Sequence, residues 1–469
     1  MMVTEPSSSP LLRLFQPVSN ASLAFFRIFF GLMMVVAVVR FFAYGWVHEF
    51  YIRPYYHFTF YGFDWVRPWP GWGMYLHFGL MGLFALLLAV GLWTRLSVFC
   101  FGLLFTYAEL LDKTYYLNHY YLVSLLCLLM LFLPLEKRWS LDVLWRGKER
   151  AEEAPLLTLA LLRGQLGLVY FFAGVAKCRV DWLLYGQPLK LWLKTKGDFP
   201  VLGVLFVQPW VPLAMSWAGA LFDLTVFGWL LWHRSRPWAY LVVIGFHVVT
   251  WWMFPIGIFP WVMIGSTLLF FSPDWPLRLW KRLSARPSDE YAAKNSSEKQ
   301  GESKPVSPLQ QWDWKRRGLV WMLALYLGFQ ILWPLRSFAY PGVLGWREEG
   351  FRFAWNVMLI EKTGYTEFRL RGRKTGRTWV VQPRRYLTAL QTKMMSTQPD
   401  MILQFAHWLG QKYEKDWKEP MEVRVYAIAS LNGRPRQTLI DPKVDLMQQS
   451  RGFSTKFWIL PLRNLPPSR

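Results

Sequence analysis

Nine runs of mainly apolar residues, separated by polar turns, set the order of the chain, at about 23–39, 72–92, 96–111, 120–135, 156–176, 211–232, 238–253, 254–271 and 319–333. A bilayer core is crossed by about 20 apolar residues of helix. The third and fourth runs are short and the seventh and eighth abut at Phe254-Pro255, so the pattern predicts eight or nine transmembrane helices. Arg27, inside the first run, is expected to face the bundle interior rather than lipid. Between the eighth and ninth runs the polar stretch 272–318 carries Ser-Asp-Glu and Lys-Asn-Ser-Ser-Glu-Lys-Gln-Gly-Glu-Ser-Lys-Pro, the composition of a flexible linker.

After Pro334 continuous runs give way to shorter segments. Residues 366–372 and 378–382 flank the turn-like Arg371-Gly-Arg-Lys-Thr-Gly, and 421–430 and 437–440 flank Leu431-Asn-Gly-Arg-Pro, so two β-hairpins are expected. Residues 386–395 and 400–413 read as helices, with Asp400 early in the second, where an acid suits the helix dipole. The fold class is therefore an α-helical polytopic membrane protein with a C-terminal extracytoplasmic α+β domain. Its expected divisions are a helical bundle over 1–271, a cytoplasmic linker over 272–318, a last transmembrane helix over 319–335 and the α+β domain over 336–469.

Composition fits that picture. Of the 469 residues 54% are hydrophobic and 29 are Trp, a density that suggests aromatic belts at the bilayer surfaces and excludes an ordinary soluble enzyme. The formal charge of +23 would suit a nucleic-acid binder, but in a multi-span chain it reflects cytoplasmic loops, and no nucleic-acid partner is expected. With the N-terminus cytoplasmic, the loops bearing Arg95, Lys137, Arg138, Arg146, Lys148, Arg150, Arg234 and Arg236 and the basic stretch 278–317 fall inside. An odd number of spans then places the tail outside. Residues 1–20 are polar and lack an apolar core with a cleavage site, so the first run is expected to be a retained span. Cys100, Cys127 and Cys178 show no CxxC spacing, and neither a disulfide framework nor a metal site is expected.

The candidate chemistry begins at the end of the fifth run. Tyr170, Ala173, Gly174 and Lys177 stand at i, i+3, i+4 and i+7, so one helix face carries an aromatic, two small residues suited to close helix contact, and a lysine. A lysine at the end of a span ordinarily snorkels to water. One enclosed in an apolar pocket offers an amine base, so burial decides between the two. The orientation above brings Lys177, Asn118 and His119 of the outer turn, and His247 of the seventh run to the same side, and polar groups at that depth are functional candidates. The alternatives are plain: Asn118 capping the fourth helix, His119 as an interfacial residue, His247 satisfied by a backbone carbonyl.

Several of these stretches, in order, resemble the vitamin K-dependent gamma-glutamyl carboxylases, in a short form like the bacterial branch: Asp112-Lys-Thr-Tyr-Tyr-Leu-Asn118-His119-Tyr-Tyr-Leu, Leu168-Val-Tyr-Phe-Phe-Ala-Gly-Val-Ala-Lys177-Cys-Arg-Val-Asp-Trp182, Phe246-His247 with Ile256-Gly-Ile-Phe-Pro-Trp-Val-Met, and Ile440-Asp-Pro-Lys-Val-Asp445. The resemblance runs from the first span nearly to the end. It implies carboxylation of peptide glutamate to γ-carboxyglutamate, coupled to conversion of vitamin K hydroquinone to its epoxide with O2 and CO2 as co-substrates and no metal. Lys177 matches the family's catalytic lysine, which deprotonates the hydroquinone. Asn118 and His119 match residues that contact the quinone and stabilise its oxygen anion, and His247 and Tyr170 join them as quinone-binding candidates.

The chain departs from the animal enzymes at two places. It has Ala176-Lys177 where they have a lysine pair. In the glutamate-holding region, where they have a Tyr, a His and an Arg, this chain offers Trp346, Phe351, Trp355 and Lys362, with Ile360 in place of the His. Lys362 is the cation expected to meet the substrate carboxylate, or else a solvated hairpin lysine. The implied partners are an exported glutamate-containing polypeptide and the lipid bilayer. The implied location is a bacterial inner membrane with the site on the extracytoplasmic side, or the endoplasmic reticulum in a eukaryote. Two rival readings stand beside this one, a quinone-dependent oxygenase with another acceptor and a transporter or lipid-binding protein without the chemistry. The absence of an internal sequence repeat argues against the transporter. An enzyme requires that Lys177 and His119 share a pocket.

Overall fold

Each of the nine apolar runs forms a helix in the computed structural model of the chain, which describes residues 13–200, 202–254, 256–284, 314–463 and 466–467. The helices are α1 (Ala21–Ala43), α2 (Gly73–Val90), α3 (Thr94–Leu111), α4 (Asn118–Met130), α5 (Leu156–Lys177), α6 (Val211–Leu231), α7 (Arg236–Met253), α8 (Phe259–Thr267), α9 (Trp275–Ser284), which comes from outside those runs, and α10 (Trp314–Leu335). Among the described residues six helices are long and apolar enough to cross a bilayer: α1, α2, α3, α5, α6 and the stretch Gly318–Ala339 that contains most of α10. An expectation of eight or nine also counts α4 and Phe259–Phe270, which are shorter, and α7, which carries Arg236 and His247. Leu32, Val36, Leu83, Leu86, Leu103, Leu221 and Trp229 are exposed on these helices, the apolar outer wall that a lipid environment requires. Arg27 is fully buried and donates from Nη1 to Leu88 O at 3.1 Å and from Nη2 to Trp139 O, so its charge is held by carbonyls of neighbouring segments.

One element departs from expectation. α9 lies in the stretch read as linker; it is ten residues long, with Leu279, Trp280 and Leu283 exposed beside Arg278, Lys281 and Arg282. The remainder of that stretch, 285–313, lies outside the described residues.

Small residues set the helix spacing that matters most for the site. A side chain at Gly174 would place its Cβ 2.8 Å from Leu224 N, so α5 and α6 approach to backbone contact there. At the opposite end of α5, the strands β1 (Pro17–Ser19) and β2 (Glu153–Pro155) pair antiparallel, and Asp142 accepts hydrogen bonds from Trp93 N and Thr94 N, both at 2.9 Å, at the start of α3.

The C-terminal segment forms a four-stranded antiparallel sheet of β3 (Lys362–Gly372), β4 (Thr378–Val381), β5 (Met421–Leu431) and β6 (Gln437–Thr438) in the order β4-β3-β5-β6. Both expected hairpins are present, with Phe368 opposite Val381 and Ile428 opposite Thr438. Alternation decides their faces: Met421, Val423, Val425, Ala427, Ala429 and Leu431 of β5 point inward with Phe368 and Leu370 of β3. Helices α11 (Ala389–Met395) and α12 (Pro399–Trp417) accompany the sheet, and Ile402, Phe405 and Leu409 of α12 close the core. Phe58, from the turn after α1, is buried in the same cluster and ties the bundle to the domain.

Polar contacts complete the junction at the end of the bundle where α5 stops. Asp181 accepts from Arg434 Nη1 at 2.8 Å, Arg434 Nη2 at 2.5 Å and Asn432 Nδ2 at 2.8 Å. Gln391 Nε2 donates to Asp112 Oδ2 at 2.8 Å, and Asn118 Nδ2 to Asn356 O at 3.1 Å.

Candidate functional site

Lys177 ends α5 but does not reach water; only 5% of it is exposed. Its Nζ donates to Asp223 Oδ2 of α6 at 2.6 Å and to Ala173 O at 3.3 Å, and it lies 5.5 Å from the ring centre of Trp182. The close approach at Gly174 explains the pairing, since it brings Leu224 and hence its neighbour Asp223 within a side chain's reach of α5. Trp182 is locked in turn: its Nε1 donates to Ser216 O at 2.6 Å, and Ser216 Oγ returns a bond to Trp182 O at 2.5 Å. Asp223 is the functional candidate that the sequence reading missed, although an acid within an apolar run, in Leu221-Phe-Asp223-Leu-Thr, is itself a signal.

Lys177, Asp223, Tyr170, His247, Asn118 and His119 all line one cavity of about 950 Å³ between the bundle and the C-terminal segment. Tyr170 Oη and His247 Nε2 are 3.0 Å apart, so His247 is satisfied by a site residue rather than by a carbonyl. Phe259 joins the two histidines, stacked on His119 at 5.3 Å and edge-on to His247 at 5.8 Å. Asn118 is the first residue of α4 and does not cap it; its Oδ1 accepts from Tyr116 Oη at 3.0 Å while Nδ2 reaches Asn356 O. The His119 ring makes no hydrogen bond among the described residues. Most of the remaining wall is apolar, including Phe41, Phe105, Phe246, Trp251 and Met215.

The outer wall is built by residues 348–360, where Glu348, Phe353, Trp355 and Met358 hold left-handed φ angles of 55 to 59°. Non-glycine residues rarely adopt that conformation, and such segments persist where their surroundings hold them. Here Tyr116 Oη accepts from Phe353 N at 2.7 Å, and Asn356 Nδ2 donates to Phe351 O at 2.8 Å. Of the four residues expected to meet glutamate, Phe351 lines the cavity; Trp346, Trp355 and Lys362 stand behind its wall. Trp346 is fully buried with its Nε1 on Leu460 O at 2.7 Å, and Trp355 packs 5.1 Å from Tyr121. Lys362 is not a solvated hairpin residue: it is buried, and its ammonium is held by Trp346 O at 2.7 Å and Glu348 Oε1 at 3.0 Å.

Apart from Lys177, the cations that line the cavity are Arg40, whose guanidinium lies over Tyr44 and Trp46, and Lys113 and Arg352 of the outer wall. Lys113 Nζ is 2.7 Å and Arg352 Nη1 2.8 Å from the same oxygen, Asp400 Oδ2, and Arg352 Nη2 also donates to Gln398 Oε1. Burial lowers the Lys113 ammonium to about 8, with Asp400 opposing and Arg352 reinforcing the change. Burial alone would raise the Asp400 carboxyl, but Arg352 and Lys113 outweigh it and hold it well below the usual carboxylate range.

The cavity fits a hydroquinone with a lipid-soluble tail by the chemistry of its donor set. Its volume lies within the range of small-molecule sites, and its wall is mainly aromatic and aliphatic with polar side chains set into it. His119 has its ring nitrogens unspent among the described residues, and Glu109, also in the wall, keeps a buried Oε1 without a partner.

Fold and site together define an integral membrane protein whose polar, cavity-lining residues meet between a helical bundle and a folded C-terminal domain. Residues 15–275 match the family model described as HTTM domain, and residues 315–465 match that described as vitamin K-dependent gamma-carboxylase, lumenal domain. The chain belongs to the vitamin K-dependent gamma-carboxylase family. These domains suggest vitamin K-dependent carboxylation, fit a C-terminal domain on the lumenal or extracytoplasmic side, and come from a family that acts on glutamate-containing polypeptides. No solved structure matches the chain.

Proposed function

We propose that the protein carboxylates glutamate side chains of an exported polypeptide to γ-carboxyglutamate, using vitamin K hydroquinone, O2 and CO2 and releasing vitamin K epoxide, with Lys177 as the catalytic base. The observation that carries this reading is the enclosure of Lys177 in one cavity with Asp223, Tyr170, His247, Asn118 and His119. Reduced vitamin K, when bound, supplies the oxygen-driven chemistry that generates a base strong enough to remove the glutamate γ-proton. Asn118, His119, Tyr170 and His247 would hold its ring, and the aromatic wall would shelter its tail.

The chain's own residues prepare the first proton transfer. Asp223 Oδ2 takes a proton from Lys177 Nζ across their 2.6 Å contact, which leaves a neutral carboxyl and a neutral amine without changing the net charge of the cavity. That amine is the proton acceptor. Trp182, fixed by Ser216, closes one side of it against water. His119 and Asn118 offer N–H groups to a developing oxygen anion.

A cytoplasmic N-terminus, the domain divisions given above and a bacterial inner membrane with the site facing outward complete the proposal; the cytoplasmic surplus of Lys and Arg supports that orientation. The test is labelled-bicarbonate uptake into glutamate peptides and epoxide formation by purified protein in detergent, for wild type and Lys177→Ala. Both activities in wild type and neither in the variant is the expected result. Epoxide without carboxylation would point to another acceptor. Neither activity in well-folded wild type would overturn the reading in favour of a transporter or lipid-binding protein.

A further inference from the structure

The outer wall of the cavity holds more cation than anion. Lys113 and Arg352 share the single carboxylate of Asp400, while Glu348, the acid beside them, is engaged by Lys362 at 3.0 Å. Asp112, next to Lys113 in sequence, already accepts from Thr114 N at 2.9 Å and Gln391 Nε2 at 2.8 Å and has His57 Nδ1 at 3.4 Å. Arg336 adds positive charge beneath Arg352, donating to carbonyls of Trp333 and Arg352. Among the described residues Asp400, itself half-exposed, is the one acid in ion-pair contact with the two cations, so their charge and donor capacity remain available to a further anion. Donors are also to spare. Lys113 Nζ spends one of its three on Asp400, and Gln398, whose Oε1 is taken by Arg352, keeps its Nε2 without a partner among the described residues.

We propose that Lys113 and Arg352, held in place by Asp400, form the subsite that takes the γ-carboxylate of the polypeptide's glutamate, in place of the Lys362 that the sequence suggested. The identity of the anion rests on the carboxylase reading above; the site itself rests on the two cations and their one acid. Lys362 cannot serve, because Glu348 has neutralised it and it stands behind the wall. Lys113 and Arg352 line the same cavity as Lys177, so a bound carboxylate and the catalytic lysine share one chamber. Two cations against the carboxylate would also stabilise the negative charge that develops beside it when the γ-proton leaves.

The test is calorimetric titration of the full chain in detergent with a short glutamate peptide and with its glutamine counterpart. Wild type is expected to bind the glutamate peptide at least about tenfold more tightly. Lys113→Met and Arg352→Gln should each lose most of that preference, Lys113→Arg should keep it, and Asp400→Asn, which removes the counter-charge, should raise it. Thermal unfolding identifies which variants are folded, and either cation variant suffices. No preference in wild type, or a preference untouched in a folded Lys113→Met or Arg352→Gln, overturns the subsite. Preference without carboxylation supports the subsite and removes the carboxylase reading. Carboxylation by Lys113→Met with an unchanged KM for peptide overturns the subsite and leaves that reading intact.

Discussion

The cavity carries two charge clusters of opposite design, one enclosed and one with its acid half-exposed. At its inner end one lysine faces one aspartate, Lys177 and Asp223, and the charges cancel. At its outer wall two cations, Lys113 and Arg352, face one aspartate, Asp400, and they do not. A matched pair can shift a proton between its members without altering the net charge of the site, which suits a base that must be recharged. A mismatched trio keeps a standing charge, which suits an anion that must arrive and leave. The lesson is that burial alone does not assign a role to a lysine; the number of acids sharing it does.

The largest effect expected from breaking this contrast is at the matched end. Lys177→Met should lower carboxylation by about 10² to 10⁴, the usual contribution of a general base, with binding of glutamate peptide retained. Asp223→Ala should lower stability by about 3–5 kcal/mol, because it strands a buried ammonium, as read from the unfolding midpoint in detergent. The double variant Lys177→Met/Asp223→Leu should recover most of that loss, since an apolar pair of similar size replaces both charges.

At the mismatched end the effect is titratable. Lys113 is charged below its value of about 8, so peptide binding that needs the charge should hold near neutral pH and weaken as pH rises through that value. Burial sets this value, opposed by Asp400 and reinforced by Arg352 and Arg451; titration calorimetry across the range checks it, and Lys113→Arg should flatten the curve. Smaller still is Tyr170→Phe, which removes the 3.0 Å contact with His247 and should cost about 1 kcal/mol, seen as a less than tenfold fall in activity. The exposed pair Arg53–Glu49 serves as the baseline: Arg53→Ala should change stability by about 0–1 kcal/mol in the same unfolding assay.

Local pattern determined much of this protein. All nine apolar runs became helices and both hairpins formed, because hydrophobic periodicity and turn residues act over a few neighbouring positions. α9 escaped because ten residues with basic side chains among the apolar ones read as polar chain when averaged. The site face of α5 was legible for the same local reason: Tyr170, Ala173, Gly174 and Lys177 recur at helical spacing, and the chain motifs around Asn118, His119 and His247 pointed to the same end of the bundle. Tertiary structure alone decided which charges met. Asp223 reaches Lys177 because Gly174 lets two helices touch, Lys362 is lost to Glu348, and the left-handed turns of residues 348–358 help shape a wall lined by Arg352. Helical spacing can place a charge on a face; its partner comes from another helix or domain, and distance in sequence carries no record of that approach.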